Sequence, residues 1–513
     1  MTAHDLPILL DRASELPLAA QLATALRRAI LDGILRHDEA LPSTRALAAS
    51  VRVSRGTVVA AYDQLAGEGY LLARPGSATR VRVERHEALT DAVRDQRGRP
   101  LRGRATPSAT GTGAAGAART GEASSAPTPP PLIDLAPGHP STRSLVDPAW
   151  TAAWRAAVAA SGRSDSPSST GTLELRTAIA EHVRRARGLA CRPEDVIVTA
   201  GTSDALASIG LALAALAGDA NQPRTRPTPR IAVEDPGYPT ARRVLTRVGA
   251  HLDPVHTDES GINLTELAAL TPPPHAVLVT PSHQYPLGSS LSVQGRLDLL
   301  EWARAADAVV IEDDYDSEFR FGTSPLPALA TLDSSGRVAL VGSFSKTVTP
   351  WIRCGYIVAT GDLGAALTAV RADLGPSVSG VQQAALAHYL DSGGLARNIT
   401  RVRREYAHRR ALVIDALGAL PGVRLSGLDG GLHVVVHLSP PLGAGTKPST
   451  GTDASALVTE AAARGVRVAL LADYAVIDRG QHGLVLGYGA PTDLELGRAV
   501  AVLAGLLTEH AAG

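Results

Sequence analysis

Val341-Gly342-Ser343-Phe344-Ser345-Lys346-Thr347 is the stretch on which the reading of this 513-residue chain turns. The chain has 50 Lys+Arg, yet only two are lysines, Lys346 and Lys447. Arginine serves as well as lysine for a solvated charge or a carboxylate clamp. It cannot serve where a deprotonated primary amine must attack a carbonyl, because its pKa is far too high. Lys447 lies in Gly-Ala-Gly-Thr-Lys-Pro-Ser-Thr with no apolar strand beside it, and reads as a chance survivor on a loop. Lys346 follows an apolar strand, Val338-Ala339-Leu340-Val341, and small hydroxyl residues. An α/β sheet places its chemistry in that position, past the C-terminal end of a strand. Lys346 is therefore expected to be a Schiff-base lysine.

Outward from this stretch, strand and helix patterns alternate. Val196–Thr199 precedes a helix from Ser203; Ile231–Glu234 precedes Asp235-Pro236-Gly237-Tyr238; Ala276–Thr280 precedes Pro281-Ser282-His283-Gln284-Tyr285-Pro286; Ala308–Glu312 precedes Asp313-Asp314-Tyr315-Asp316. The pattern predicts an α/β domain with a mostly parallel sheet, and polar or aromatic residues at the ligand-binding strand ends. These residues suit pyridoxal 5'-phosphate (PLP). A carboxylate must hold the pyridinium proton, and Asp313 is placed for it. Tyr238 can stack on the ring and Tyr315 can hold the phenolic oxygen. Gly201-Thr202-Ser203 opens a helix whose N-terminus can take the phosphate, with Arg353, Ser343 and Ser345 as further donors. Singly each has a bland reading: a strand-end cap, a core aromatic, a surface ion pair. Together, and in this order, chance explains them poorly. No metal is called for.

The first 84 residues read differently. Apolar residues at 18, 22, 26, 29 and 30 have helical spacing, and Gly33 is a stop. Ser43 caps a second helix through Leu47 to Ser50, and Ser54 a third, with Val58, Ala61, Tyr62 and Leu65 inward. Gly69–Arg74 and Thr79–Arg82 read as two strands around Pro75-Gly76. Three helices and a β-hairpin make a winged helix-turn-helix, whose third helix enters the major groove by its first residues. Six arginines face only Asp63 and Glu68 over residues 41 to 82, so the phosphate-binding charge is local. Between the two units, Arg94 to Pro131 is rich in Arg, Gly, Ala, Ser, Thr and Pro without apolar periodicity, and reads as a flexible tether. The expected bounds are 6–84 for the DNA-binding domain, 85–131 for the linker and 132–513 for the large domain.

Bulk composition agrees. The 50 basic and 50 acidic residues balance, so the whole chain is no polycation. Cys191 and Cys354 form no disulfide framework and suggest a reducing compartment. The N-terminus lacks the apolar run of a signal peptide, and Leu206–Ala217 is too short to span a bilayer. The expectation is a cytoplasmic protein that does not enter membranes.

Leu41-Pro42-Ser43-Thr44-Arg45, Val53-Ser54-Arg55-Gly56-Thr57-Val58 and Arg74-Pro75-Gly76-Ser77 resemble the GntR family of bacterial regulators. Glu234-Asp235-Pro236-Gly237-Tyr238-Pro239, Pro281-Ser282-His283-Gln284-Tyr285-Pro286, Glu312-Asp313-Asp314-Tyr315-Asp316-Ser317-Glu318-Phe319 and the Lys346 stretch resemble its MocR subfamily. There a GntR-type domain is fused to a fold type I aminotransferase-like domain. The resemblance implies PLP on Lys346, with Asp313, Tyr315, Tyr238, Tyr285, Thr202, Ser203, Ser343, Ser345 and Arg353 around it. It implies operator contacts from Arg45, Ser54, Arg55, Thr57 and Gly76. It also implies a homodimer that binds double-stranded DNA and answers to PLP or a small amine, with each DNA-binding domain typically packed on the partner's large domain. Four positions depart from the pattern. Ala78 replaces a wing glycine, and Tyr285 stands where aminotransferases carry Asn. Val485, in Leu484-Val485-Leu486-Gly487-Tyr488, stands where enzymes that bind α-carboxylates present an arginine. Ser166 stands for a phosphate-binding tyrosine. Valine makes no bidentate clamp, so the departures point away from efficient transamination and towards a PLP-sensing transcription regulator, with vitamin B6 or amine metabolism as the controlled process. An active aminotransferase with a tethered DNA-binding domain, and a scaffold that only dimerises, are the alternatives.

Overall fold

The computed structural model describes residues 8, 10–12, 17–72, 78–83, 132–142, 147–160, 168–217, 228–321, 327–438 and 454–512. The expected linker, the wing turn with Gly76, Ser166 and Lys447 lie outside them.

The N-terminal unit is built on α1 (Leu18–Leu31), α2 (Thr44–Ser50) and α3 (Arg55–Gly67). Both expected caps form. Ser43 Oγ accepts from the Ala46 amide at 3.2 Å and Ser54 Oγ from the Thr57 amide at 3.1 Å, which satisfies amides that the first helical turn leaves without partners. Leu22, Leu26, Val58, Ala61, Tyr62 and Leu65 form the core. Strands β1 (Leu71–Leu72) and β2 (Arg80–Val81) pair antiparallel, with Leu71 opposite Val81. This unit seats on the large domain of its own chain. Val293 closes its core, with Leu297 half-buried against it. The apolar patch of those two side chains covers a face that three short helices cannot bury among themselves.

The large domain opens with β3 (Ile133–Asp134). It then supplies β4 (Val196–Thr199), α4 (Thr202–Leu216), β5 (Arg230–Asp235), β6 (His251–Asp258), β7 (Gly261–Ile262), β8 (Ala276–Val279), α5 (Val293–Ala306), β9 (Val309–Asp314), β10 (Val338–Ser343) and β11 (Gly355–Val358). The sheet order is β4-β11-β10-β9-β8-β5-β6-β7. From β10 to β6 neighbours run parallel; β11 runs antiparallel to both β10 and β4. All four residues of β8 are buried, as are five of the six in β9 and in β10. β8 and the start of β9 and β10 are apolar runs, as strands covered on both faces require, while β9 ends in the buried acids Glu312, Asp313 and Asp314. Because β5, β8, β9 and β10 are parallel, the loops after them, at 236–238, 280–288, 315–321 and 344–353, meet at one edge.

A second sheet, β12 (Val423–Ser426), β13 (His433–Leu438), β15 (Ala469–Leu470) and β16 (Gly483–Gly487), has the order β12-β13-β16-β15. A short strand β14 (Val466–Arg467) pairs with β3. The second sheet brings His433 and the segment around Tyr474 to the same edge as the loops of the first.

Candidate functional site

Lys346 stands on the loop that follows β10. Its Nζ donates to the Gly138 carbonyl, in the turn after β3. Burial pushes its pKa below the ordinary lysine value, while Asp316 and Asp313 pull it up. Asp313, the fifth residue of β9, is buried, and one of its oxygens, Oδ1, meets no hydrogen-bond donor. Burial raises its pKa to about 7, helped by Asp314, Glu234 and Asp316 and opposed by Lys346. A buried acceptor without a donor costs roughly 1–3 kcal/mol. A site that keeps such an oxygen beside a depressed lysine is suited to an incoming N–H group.

Tyr238 caps the helix Pro239–Arg247 and is half-buried. Burial raises its pKa above the ordinary tyrosine value, opposed by Thr240, helped by Asp313 and opposed by Arg243 and Arg353. Tyr285 packs edge-on against Tyr238, Tyr315, His433 and Tyr474, with ring centroids 5.7, 5.6, 5.2 and 5.4 Å away. These rings form a box, and the Asp313 charge reaches two of them, Tyr238 and Tyr315. Tyr315 is half-buried, and burial first, then Asp316, raises its pKa well above the ordinary tyrosine value.

The expected phosphate donors are gathered by strand register. Ser343 on β10 pairs with Gly355 on β11, and Gly355 with Thr199 on β4. A Cβ on Gly355 would lie 2.6 Å from the Gly342 carbonyl and 3.1 Å from the Gly201 Cα, so only glycine allows this close approach. The approach brings the end of β10, at Ser343, near the N-terminus of α4, where Thr202 and Ser203 lie. The Ser345 amide donates to Ser343 Oγ at 3.1 Å. Gly201 offers α4 no side-chain cap, which leaves first-turn amides for an anion. Arg353 is exposed at the end of the same loop with φ 41°. The carboxylate of Asp204, in the first turn, is held by the Ala200 amide at 2.8 Å and by Arg371 at 3.2 Å.

Val485 on β16 is buried opposite Val435 and Ala469, in a small core with Leu287, Leu471 and Tyr474. That strand presents an apolar wall to Tyr285, with a valine where a carboxylate-binding arginine was looked for.

Sequence reasoning missed several residues. His283, Asp316, His433, Tyr474 and Gly138 all reach the site. His283 and Asp316 stood inside quoted motifs, and their residue types were the available signal; Tyr474 and His433 had none. Beneath the site lies a buried cation, Arg187, with Nε 2.6 Å from Asp314 Oδ2 and Nη2 donating to Ser282 Oγ at 2.8 Å. Arg296 on α5 donates to the Pro281 and Leu291 carbonyls at 2.8 and 3.0 Å. The loop that bears His283 and Tyr285 is thereby tied to the helix on which the N-terminal unit sits.

On that unit Arg45 and Arg55 are exposed, on α2 and at the start of α3. Arg55 Nε lies 3.4 Å from Thr44 Oγ1. Thr57 is half-buried, and its hydroxyl is 2.8 Å from Ser54 Oγ, so these two hydroxyls serve the cap first.

The matches to known proteins follow the same division. Residues 18–81 match the model of the bacterial regulatory proteins of the gntR family, and residues 130–477 that of aminotransferase class I and II. The HTH-type pyridoxine biosynthesis transcriptional regulator PdxR of Corynebacterium glutamicum is 40% identical over 489 residues, 95% of each chain. The probable rhizopine catabolism regulatory protein MocR of Rhizobium meliloti is 36% identical over 409 residues, 79% of this chain and 78% of that protein. Among solved structures, an archaeal alanine:glyoxylate aminotransferase superposes with a TM-score of 0.64 at 23% identity, covering 74% of this chain and 91% of that one. At that identity the likeness is one of fold.

Proposed function

The chain belongs to the MocR-type transcriptional regulators of the gntR family, and on that premise we propose that it binds PLP and reports its level to DNA. The observation that carries this reading is the donorless Oδ1 of Asp313 within electrostatic reach of the depressed Lys346. When bound, PLP supplies an aldehyde for the lysine amine and an electron-withdrawing ring. Lys346 is the anchor; its lowered pKa keeps more of the amine unprotonated near neutral pH. Asp313 accepts the ring N–H. Tyr238 stacks, Tyr315 donates to the phenolic oxygen, and Tyr285 closes the box. Ser343, Ser345, Thr202, Ser203 and Arg353 take the phosphate.

The apolar wall at Val485 favours a ligand without an α-carboxylate to clamp, which makes PLP itself the signal. With a pyridoxine biosynthesis regulator as a relative over 95% of both chains, the genes of PLP supply are the proposed targets. The protein acts as a homodimer in a cytoplasmic setting. Its operator contacts come from Arg45, Arg55 and Thr57, with Ser54 ordering the turn and the wing at Gly76 following the backbone. The electrostatic coupling of Asp313 to both Lys346 and Tyr315 also supports a second reading, an aminotransferase that still turns over.

Addition of PLP to the protein should produce a visible absorbance band that Lys346→Ala abolishes. A wild-type protein without the band sinks the reading. Repeated turnover with an amino donor and a keto acid would favour the enzyme over the sensor.

A further inference from the structure

His283 and Asp316 have no part in the roles assigned above, although both are buried, with 4% and 1% of their surface exposed. His283 Nδ1 is 2.9 Å from the Tyr315 hydroxyl and 2.9 Å from Asp316 Oδ2. The fold fixes the imidazole there from two sides. A Cβ on Gly431 would overlap His283 Cε1 and come within 2.6 Å of Asp316 Oδ2; one on Gly288 would lie 3.2 Å from His283 Nε2. Both glycines have positive φ, +74° and +75°, a conformation that side chains disfavour. The space that holds the histidine therefore exists only because two glycines frame it.

Proton bookkeeping follows from the partners. An ionised carboxylate only accepts, so the Nδ1 that faces Asp316 carries the hydrogen. The same Nδ1–H lies equally close to the Tyr315 oxygen, 2.9 Å away. With that oxygen accepting from Nδ1, the tyrosine's own proton is left for a phenolic oxygen in reach. The other titratable groups that face His283 are His433 on β13, 5.2 Å away between ring centroids, and Lys346, whose charge reaches His433. Burial, then the His283 charge, lowers His433 to about 4, so it is neutral near pH 7 and adds no competing charge.

We propose that His283, held by Asp316, is a positioning residue that turns the Tyr315 hydroxyl proton towards the phenolic oxygen of a pyridoxal-type ligand. The proposal rests on the PLP reading of the pocket. A donor on the phenolic oxygen stabilises its deprotonated form, so it lowers the pH at which the ligand–lysine chromophore titrates. Without His283 the hydroxyl is free to turn towards Asp316, whose charge acts on it, and that help is lost.

The test is a pH titration of the visible band of the PLP-loaded protein. His283→Leu removes the donor; His283→Asn keeps an amide N–H near the place of Nδ1. The leucine variant should raise the midpoint by about one pH unit, a tenfold change in the proton equilibrium or 1.36 kcal/mol. The asparagine variant should stay at the wild-type midpoint. In a Tyr315→Phe background, His283→Leu should add no further shift, because the two changes act through one hydroxyl. Should the leucine variant not fold, His283→Gln, whose amide reaches towards the Nε2 position, replaces it with the same expectation. An unmoved midpoint in the donorless variant overturns the proposal. So does a shift that persists without the tyrosine hydroxyl, or an equal shift in the asparagine variant. A wild-type protein with no band fails the PLP reading instead, and the two failures are told apart in one experiment.

Discussion

Burial holds the Asp313 carboxyl at a pKa of about 7 against the ordinary 3.8, so the ligand-free fold takes up a proton at this residue. A folded-state pKa raised above the unfolded one gives stability that is complete below pH 4 and lost as the pH rises through about 7. Asp313→Asn cannot ionise. In ligand-free protein it should flatten that part of the stability profile and be more stable than wild type at pH 8, by an amount on the order of a few kcal/mol. Denaturant unfolding at pH 5 and pH 8 checks this; parallel profiles for the two proteins would refute it. The gain should come with weaker PLP binding, since an amide holds no pyridinium proton, the usual exchange of stability for function at a site. At this scale the sequence was most legible where composition was most constrained. A chain with two lysines advertised the one beside a strand, and strand-end position then suggested Asp313, Tyr315 and Tyr238. His283 and His433 were not legible as partners, because 150 residues of chain separate them and only the packing of the second sheet against the loop after β8 brings their rings together.

The elements divide in the same way. Ser43 and Ser54 announced their helices, since a hydroxyl before an apolar-periodic run has few other uses. Ser54→Ala should cost about 1 kcal/mol of stability in the N-terminal unit, read as a lower unfolding midpoint. Arg55→Ala should leave that midpoint near wild type and weaken promoter binding; normal binding by the arginine variant would remove α3 from the groove. The parallel strands β5, β8, β9 and β10 were readable as short apolar runs, each followed by polar residues. Strand β6 was less so, because Pro254 interrupts its alternation, a residue that sheets tolerate near an edge; here only the two-residue β7 lies beyond it. Strand β11 is four residues long and returns antiparallel, which the alternating pattern does not suggest. Of the second sheet only β16 is legible in the sequence, as the apolar strand Leu484-Val485-Leu486.

In the whole molecule the two units meet at α5. Val293 completes the core of the N-terminal unit, while Arg296, one turn on, holds the carbonyl of Pro281 at the start of the loop that carries His283 and Tyr285. Arg296 is buried, and burial lowers its pKa to about 10, so it stays charged at neutral pH and keeps its carbonyl partners. The DNA-binding surface and the candidate PLP box thus share one rigid helix, a physical route by which filling the box can bias the seat of the other unit. No sequence pattern announced that seat, because Val293 and Leu297 look like any inward face of an amphipathic helix. Within the described residues no helix is long and apolar enough to cross a membrane. The claim that joins both ends is that PLP alters operator binding through Lys346. The direct measurement is the dissociation constant for promoter DNA at one fixed salt concentration, with and without PLP, for the wild type and Lys346→Ala. The wild-type constant should change by roughly 5- to 150-fold, the ordinary span of coupling between two sites, and that of the variant should not change. A wild-type constant that is the same with and without PLP would contradict it.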